Sequence, residues 1–109
     1  MIISFADENI ENWCRQTKLA TKKLGAESAK KLQKRISECF AASSVSELVA
    51  GRPHPLSHCM AGQFALDLYR GHRLIFKPTN VPPPTKDDGS IDWSQVTEIT
   101  IIETEDYHD

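Results

Sequence analysis

The sequence predicts an α+β domain, a small, mostly antiparallel sheet packed against two N-terminal helices. Three observations predict it. Between residues 8 and 42 the apolar positions recur at helical spacing, after residue 63 they alternate in twos, and two alternating segments meet across a connection too short for anything but a hairpin.

Each element has its own warrant. Ile2 to Phe5 reads as a short strand with Ile3 and Phe5 on one side, and Asp7 is placed to cap the first helix. Ile10, Trp13, Cys14, Thr17 and Ala20 fall at helical spacings, predicting a helix near 8–23 that Gly25 ends through a left-handed conformation. Ala29, Leu32, Ile36, Cys39 and Phe40 make the stripe of a second helix near 27–42. Ser44 and Glu47 fit a capping box before a short turn with Leu48 and Val49.

From Gly51 to Gly62 two prolines and two glycines frame His54 and His58, which predicts a restrained loop without a regular element. Phe64, Leu66 and Leu68 then share one face of a strand over 63–70, opposite Ala65, Asp67 and Tyr69. After a turn at Arg70-Gly71, Arg73, Ile75 and Lys77 alternate with Leu74 and Phe76 in a strand over 73–78. Residues 80–92, with Pro82-Pro83-Pro84 and Asp88-Gly89, form an excursion whose return Trp93 pins. A last strand over 97–105 carries Ile99, Ile101 and Ile102, apolar on both parities, so that one face meets the helices and part of the other a loop or a partner.

The 109 residues suit one domain spanning 1–109, with roughly two thirds of the unfolded surface buried. No apolar run is long enough to cross a bilayer and no basic n-region precedes an apolar h-region, so the expected location is cytoplasmic, away from membranes. Cys14, Cys39 and Cys59 fit neither a disulfide framework nor a zinc motif; the first two read as helix-face core residues and Cys59 as a loop thiol. No cofactor or metal is called for. The net charge of −2 conceals an asymmetry: residues 1–80 hold twelve Lys/Arg against seven Asp/Glu, whereas residues 81–109 hold one Lys against eight. A basic body can approach RNA or an acidic protein, although helix solubilisation explains the lysines equally well.

The polar residues that can make one site are His54, Arg73 and the terminal Glu105-Asp106-Tyr107-His108. Each has a plainer structural reading: a loop histidine, a sheet-surface ion pair, a packed tyrosine, a solvated acidic tail. Their order along the chain goes further. Pro53-His54-Pro55-Leu56, Gly62 to Leu68, Arg73 to Pro78, Asp88-Gly89, Asp92-Trp93 and Glu105 to His108 together resemble a HigB-type member of the RelE/ParE toxin superfamily, in the branch with a long connection before the last strand. The ordered match covers most of residues 52–108, with one departure: the family can carry a lysine where this chain has Ser57.

That resemblance implies a RelE-like toxin fold and the toxin of a type II toxin–antitoxin system, an endoribonuclease that cuts mRNA on the ribosome. It implies catalytic roles for His54, Asp106, Tyr107 and His108, and a phosphate-binding role for Arg73. It implies as partner a HigA-like helix-turn-helix antitoxin, through which alone operator DNA is bound. The chemistry would use the 2′-hydroxyl of RNA, with His54 as base, His108 as acid or Asp106 as an alternative base, and Arg73 gripping the phosphate. The other readings are a ParE-like gyrase inhibitor and a catalytically inactive antitoxin-binding relative.

Overall fold

The computed structural model describes residues 1–57 and 61–106, and of Glu105 and Asp106 only the backbone course; His58, Cys59, Tyr107 and His108 lie outside the described residues. Strand β1 (Ile2–Phe5) leads into helices α1 (Glu8–Arg15), α2 (Thr17–Leu24) and α3 (Ala26–Ala41). After a 3₁₀ turn at Val45–Glu47 come β2 (His54–Pro55), β3 (Phe64–Asp67), β4 (His72–Pro78), a second 3₁₀ turn at Trp93–Gln95 and β5 (Glu98–Asp106). The five strands lie in the order β1-β5-β4-β3-β2, with β1 parallel to β5 and every other pair antiparallel.

The helix layer follows the expected stripes with two corrections: Thr17 and Phe40, read as stripe residues, are exposed, Phe40 at 53%, and the first helix is not continuous. The helix expected over 8–23 is broken at Gln16, whose φ of −122° and ψ of 106° are extended. The reason lies in the faces. An unbroken helix would carry the buried line from Ile10 and Cys14 on to Lys18; resetting the turn at Gln16 leaves Lys18 exposed and makes Ala20 the next buried contact. Asp7 caps α1 as expected, its Oδ1 accepting from Ile10 N–H at 2.9 Å. Gly25 ends α2 and opens α3, but its φ of 89° pairs with ψ of 161°, a region close to glycine-only, instead of the left-handed helical well. The expected capping box does not form: Glu47 Oε1 accepts from Ser43 N–H at 3.0 Å, one residue before the cap, while Ser44 Oγ meets Ser46 Oγ.

The hairpin forms where expected, with β3 shorter than the 63–70 reading. Arg70 and Gly71 both take positive φ, 49° and 84°, and His72 N–H closes the turn on Tyr69 O at 3.2 Å, the type I′ geometry that matches strand twist. The loop expected to lack regular structure contributes β2, which pairs His54 with Ala65 and Pro55 with Phe64. Two residues are too few to show a period, and a proline is tolerated at a sheet edge because its missing N–H faces outward. Between 80 and 92 the chain makes one isolated bridge, Thr85 with Ile91, and Trp93 returns it to the body by packing on Phe64 at 4.8 Å between ring centroids. Phe64, Leu66, Leu74, Phe76, Ile99 and Ile101 form the sheet's contribution to a core shared with Leu32, Ile36 and Cys39 of α3. Among the described residues no helix is long and apolar enough to cross a membrane.

Candidate functional site on the open face of the sheet

The alternation that sends Phe64, Leu66, Leu74 and Phe76 to the helices sends their neighbours to the other face. Residues directly opposite on antiparallel strands share a face, so the pairs His54–Ala65, Ala65–Ile75, Ile75–Glu103 and Asp67–Arg73 place His54, Asp67, Arg73 and Glu103 on one open surface. Ala65 and Ile75 are fully buried beneath it and make its apolar floor. A bulge decides the composition. The β4–β5 register shifts between Ile75 and Phe76, so Ile101 pairs with Phe76 but Glu103 pairs with Ile75. Without that extra residue Glu103 would share the parity of Ile99 and Ile101 and point into the core; the bulge is also why Ile101 and Ile102 are apolar side by side.

Asp67 is the hub of the surface. Its Oδ1 lies 3.3 Å from Arg73 Nε and its Oδ2 2.8 Å from Arg52 Nε, so one carboxylate holds two guanidinium groups. Arg73 is well covered, with 22% of its side chain exposed, and Arg52 is open at 65%. The hydrogen bond and charge of Asp67 push the Arg52 guanidinium further above its already high pKa. The loop that carries Arg52 is tied down from below. Asp67 N–H donates to Gly51 O at 2.6 Å, and the buried Arg35 donates from Nε to Asp67 O at 3.4 Å while its Nη1 pairs with Glu38 at 2.7 Å.

His54 sits beside this group with Nδ1 2.7 Å from Arg52 O. A carbonyl only accepts, so Nδ1 carries the proton and the neutral ring presents Nε2 as a proton acceptor. His54 and Arg73 lie two strands and two residues apart, roughly 12 Å between Cα atoms from ordinary sheet spacings.

The remaining expected site residues divide. Asp106 takes the register position opposite His72, one step beyond the Arg73–Glu105 pair, and Tyr107 and His108 lie outside the described residues. Asp67 pairs with Arg73 across the hairpin, which makes the sheet-surface ion pair of Arg73's plainer reading, whereas Arg52 and Glu103 were missed. The signals were present: a basic residue between Gly51 and Pro53 just before His54, and a glutamate in an isoleucine-rich strand. His72 belongs to the other face. Its Nδ1 lies 2.6 Å from Oγ of the buried Ser28, which is also 3.2 Å from Tyr69 O; a hydroxyl donating to the carbonyl and accepting from the ring satisfies both, so His72 ties the hairpin turn to α3. Burial pushes the Cys14 and Cys39 thiols up to about 12, which keeps both protonated and unsuited to nucleophilic chemistry. Among the described residues no group of three or more His, Cys, Asp or Glu could hold a metal ion.

No protein-family model and no curated protein matches the chain. Solved structures do. A YoeB/ParE toxin from Agrobacterium tumefaciens superposes with a TM-score of 0.61 at 13% identity, covering 99% of this chain and 100% of the other. The YoeB of a Staphylococcus aureus YoeB dimer gives 0.56 at 16% identity, with 100% and 98% covered. A YoeB–YefM complex from the same organism gives 0.57 at 16% identity with the same coverage. The chain therefore has the RelE/YoeB-like toxin architecture over its whole length.

Proposed function

We propose that this chain is the toxin of a type II toxin–antitoxin pair and cuts mRNA on the ribosome, using the open face of the sheet as its active surface. The observation that carries the reading is the meeting of two independent facts. A full-length YoeB-like fold presents, on its helix-free face, a histidine with an available Nε2 and an arginine held by a carboxylate. The HigB-like assignment within that fold rests on the ordered motifs from Pro53 to His108.

In this reading the 2′-hydroxyl attacks the adjacent phosphorus and the bond to the 5′-oxygen breaks, leaving a 2′,3′-cyclic phosphate and a 5′-hydroxyl. His54 Nε2 takes the proton from the nucleophile. Arg73 donates to the phosphoryl oxygens, where negative charge grows in the transition state. His108 returns a proton to the leaving oxygen and Tyr107 stacks on or donates to the substrate; Asp106, at the register position opposite His72, is set off this face and is not assigned the base. The body in which these groups are set carries an excess of positive charge over residues 1–80, which suits an RNA partner. The Staphylococcus aureus YoeB that shares the fold occurs in complex with YefM, and a cognate antitoxin of helix-turn-helix, HigA-like type is the corresponding partner here, with operator DNA bound through that complex.

The test maps RNA ends in a purified translating-ribosome system with wild type and the His54→Ala, Arg73→Ala and His108→Ala variants. Ribosome-dependent cuts by wild type, lost in the folded variants, are the expected result. Wild type that leaves mRNA whole, or that traps gyrase on DNA, sinks the enzyme reading.

A further inference from the structure

We propose that Arg52 and Arg73 form a two-arginine phosphate clamp preset by Asp67, with Arg52 holding a second backbone phosphate of single-stranded RNA next to the one held by Arg73; the proposal rests on the ribonuclease reading above. The geometry singles out Arg52. Its backbone has a φ of +49°, a conformation that a side-chain-bearing residue adopts at a cost and keeps only where its surroundings over-determine it. Here they do. Gly51 O receives Asp67 N–H, Arg52 Nε is held by Asp67 Oδ2, and Arg52 O meets His54 Nδ1, so one residue joins the loop, the hub carboxylate and the candidate base. This anchoring is not for burial, since 65% of the side chain is exposed. With Nε engaged by Asp67 and most of the side chain in solvent, the guanidinium keeps its Nη donors to offer an anion.

The donors make the same point. Arg52 offers a phosphate a fork of donors beyond the Nε that Asp67 engages, so the anion can join without displacing the carboxylate. Asp67 is a positioning residue. It contributes no attraction for RNA and lowers the local positive potential, but it fixes both arginines before the substrate arrives.

The test pairs binding with turnover. A short 2′-O-methyl oligoribonucleotide, which keeps the phosphates but lacks the nucleophile, is titrated at low and rising salt into wild type, Arg52→Ala, Arg52→Lys and Asp67→Asn. Single-turnover cutting of ribosome-bound mRNA is measured on the same proteins, with thermal melting to establish that each is folded. Arg52→Ala is expected to weaken binding and to flatten the slope of log affinity against log salt by about 0.7, the value for one single-strand phosphate contact. Arg52→Lys keeps the slope and cuts more slowly, because a point charge replaces the fork. Asp67→Asn binds at least as tightly as wild type yet cuts about tenfold more slowly, a split that a folding defect does not produce. Wild type that fails to bind the oligonucleotide, or Arg52→Ala with an unchanged slope, overturns the clamp. Cutting by wild type alongside that result leaves the ribonuclease reading intact, whereas an Arg52-dependent slope without any cutting sinks the ribonuclease reading and keeps the clamp.

Discussion

The two faces of the sheet are built from the same strands and share almost no chemistry. Toward the helices, Leu66, Leu74, Phe76, Ile99 and Ile101 are each within a percent of complete burial. Away from them, His54, Asp67, Arg73 and Glu103 stand beside the buried Ala65 and Ile75. Because side chains alternate with period two, a single step along a strand moves from a residue that holds the fold to one on the open face. Stability and the proposed activity are thereby separable by mutation, and the separation is measurable.

The largest effect belongs to the helix face. Phe76→Ala removes a fully buried ring that stacks on Phe64 at 5.3 Å and is expected to cost about 3–5 kcal/mol of folding stability, read by urea denaturation. Arg73→Ala, on the same strand but the opposite face, gives the complementary result. Cutting should fall about a hundredfold, equivalent to roughly 3 kcal/mol in the barrier, while the melting temperature stays close to wild type because partly exposed ion pairs contribute only about 0–1 kcal/mol. A large loss of stability in Arg73→Ala would erase the distinction between the faces.

Two smaller predictions sharpen it. Asp7→Ala removes a helix cap far from the open face and should cost about 1 kcal/mol of stability with no change in turnover per folded molecule. The buried thiols give a pH signature of the core alone. With Cys14 and Cys39 held up to about 12 against an ordinary 9.0, the unfolded chain releases these protons first as pH rises. Stability is therefore fully present below about pH 9 and is lost progressively toward pH 12, by at most about 1.4 kcal/mol per pH unit for each thiol. Thermal melts of wild type and Cys39→Ala across this range should show a shallower alkaline decline in the variant; parallel declines would count against burial as the cause.

The helix face was legible because burial imposes periodicity. Ala29, Leu32, Ile36 and Cys39, and the alternation from Phe64 to Phe76, needed only counting. The breaks were not. Gln16 carries no breaker signal, and its turn is visible only as the burial of Lys18 that it prevents. The β5 bulge was hidden for a related reason: adjacent Ile101 and Ile102 announce that both parities are apolar without saying which residue is the extra one. Of the site, His54 and Arg73 were legible through their residue types and surrounding motifs, and Asp67 through its place across the hairpin. Arg52 carried a signal in its residue type and place before His54, but its contact with Asp67 was not legible, since it depends on a loop docking on β3 through main-chain hydrogen bonds, which any sequence of similar shape can make.

Gly51 carries one more consequence. A Cβ at this position would lie 2.7 Å from Arg35 Nε and 3.0 Å from Asp67 O, on a backbone with φ of +84°. The side chain at 35 thus occupies the space that any larger residue at 51 would need, so the two positions form a lock across the helix layer and the open face. The coupling runs one way: relatives that keep the arginine would keep the glycine, whereas a shorter residue at 35 would free space without relieving the positive φ or the approach to Asp67 O, so the glycine would still be favoured.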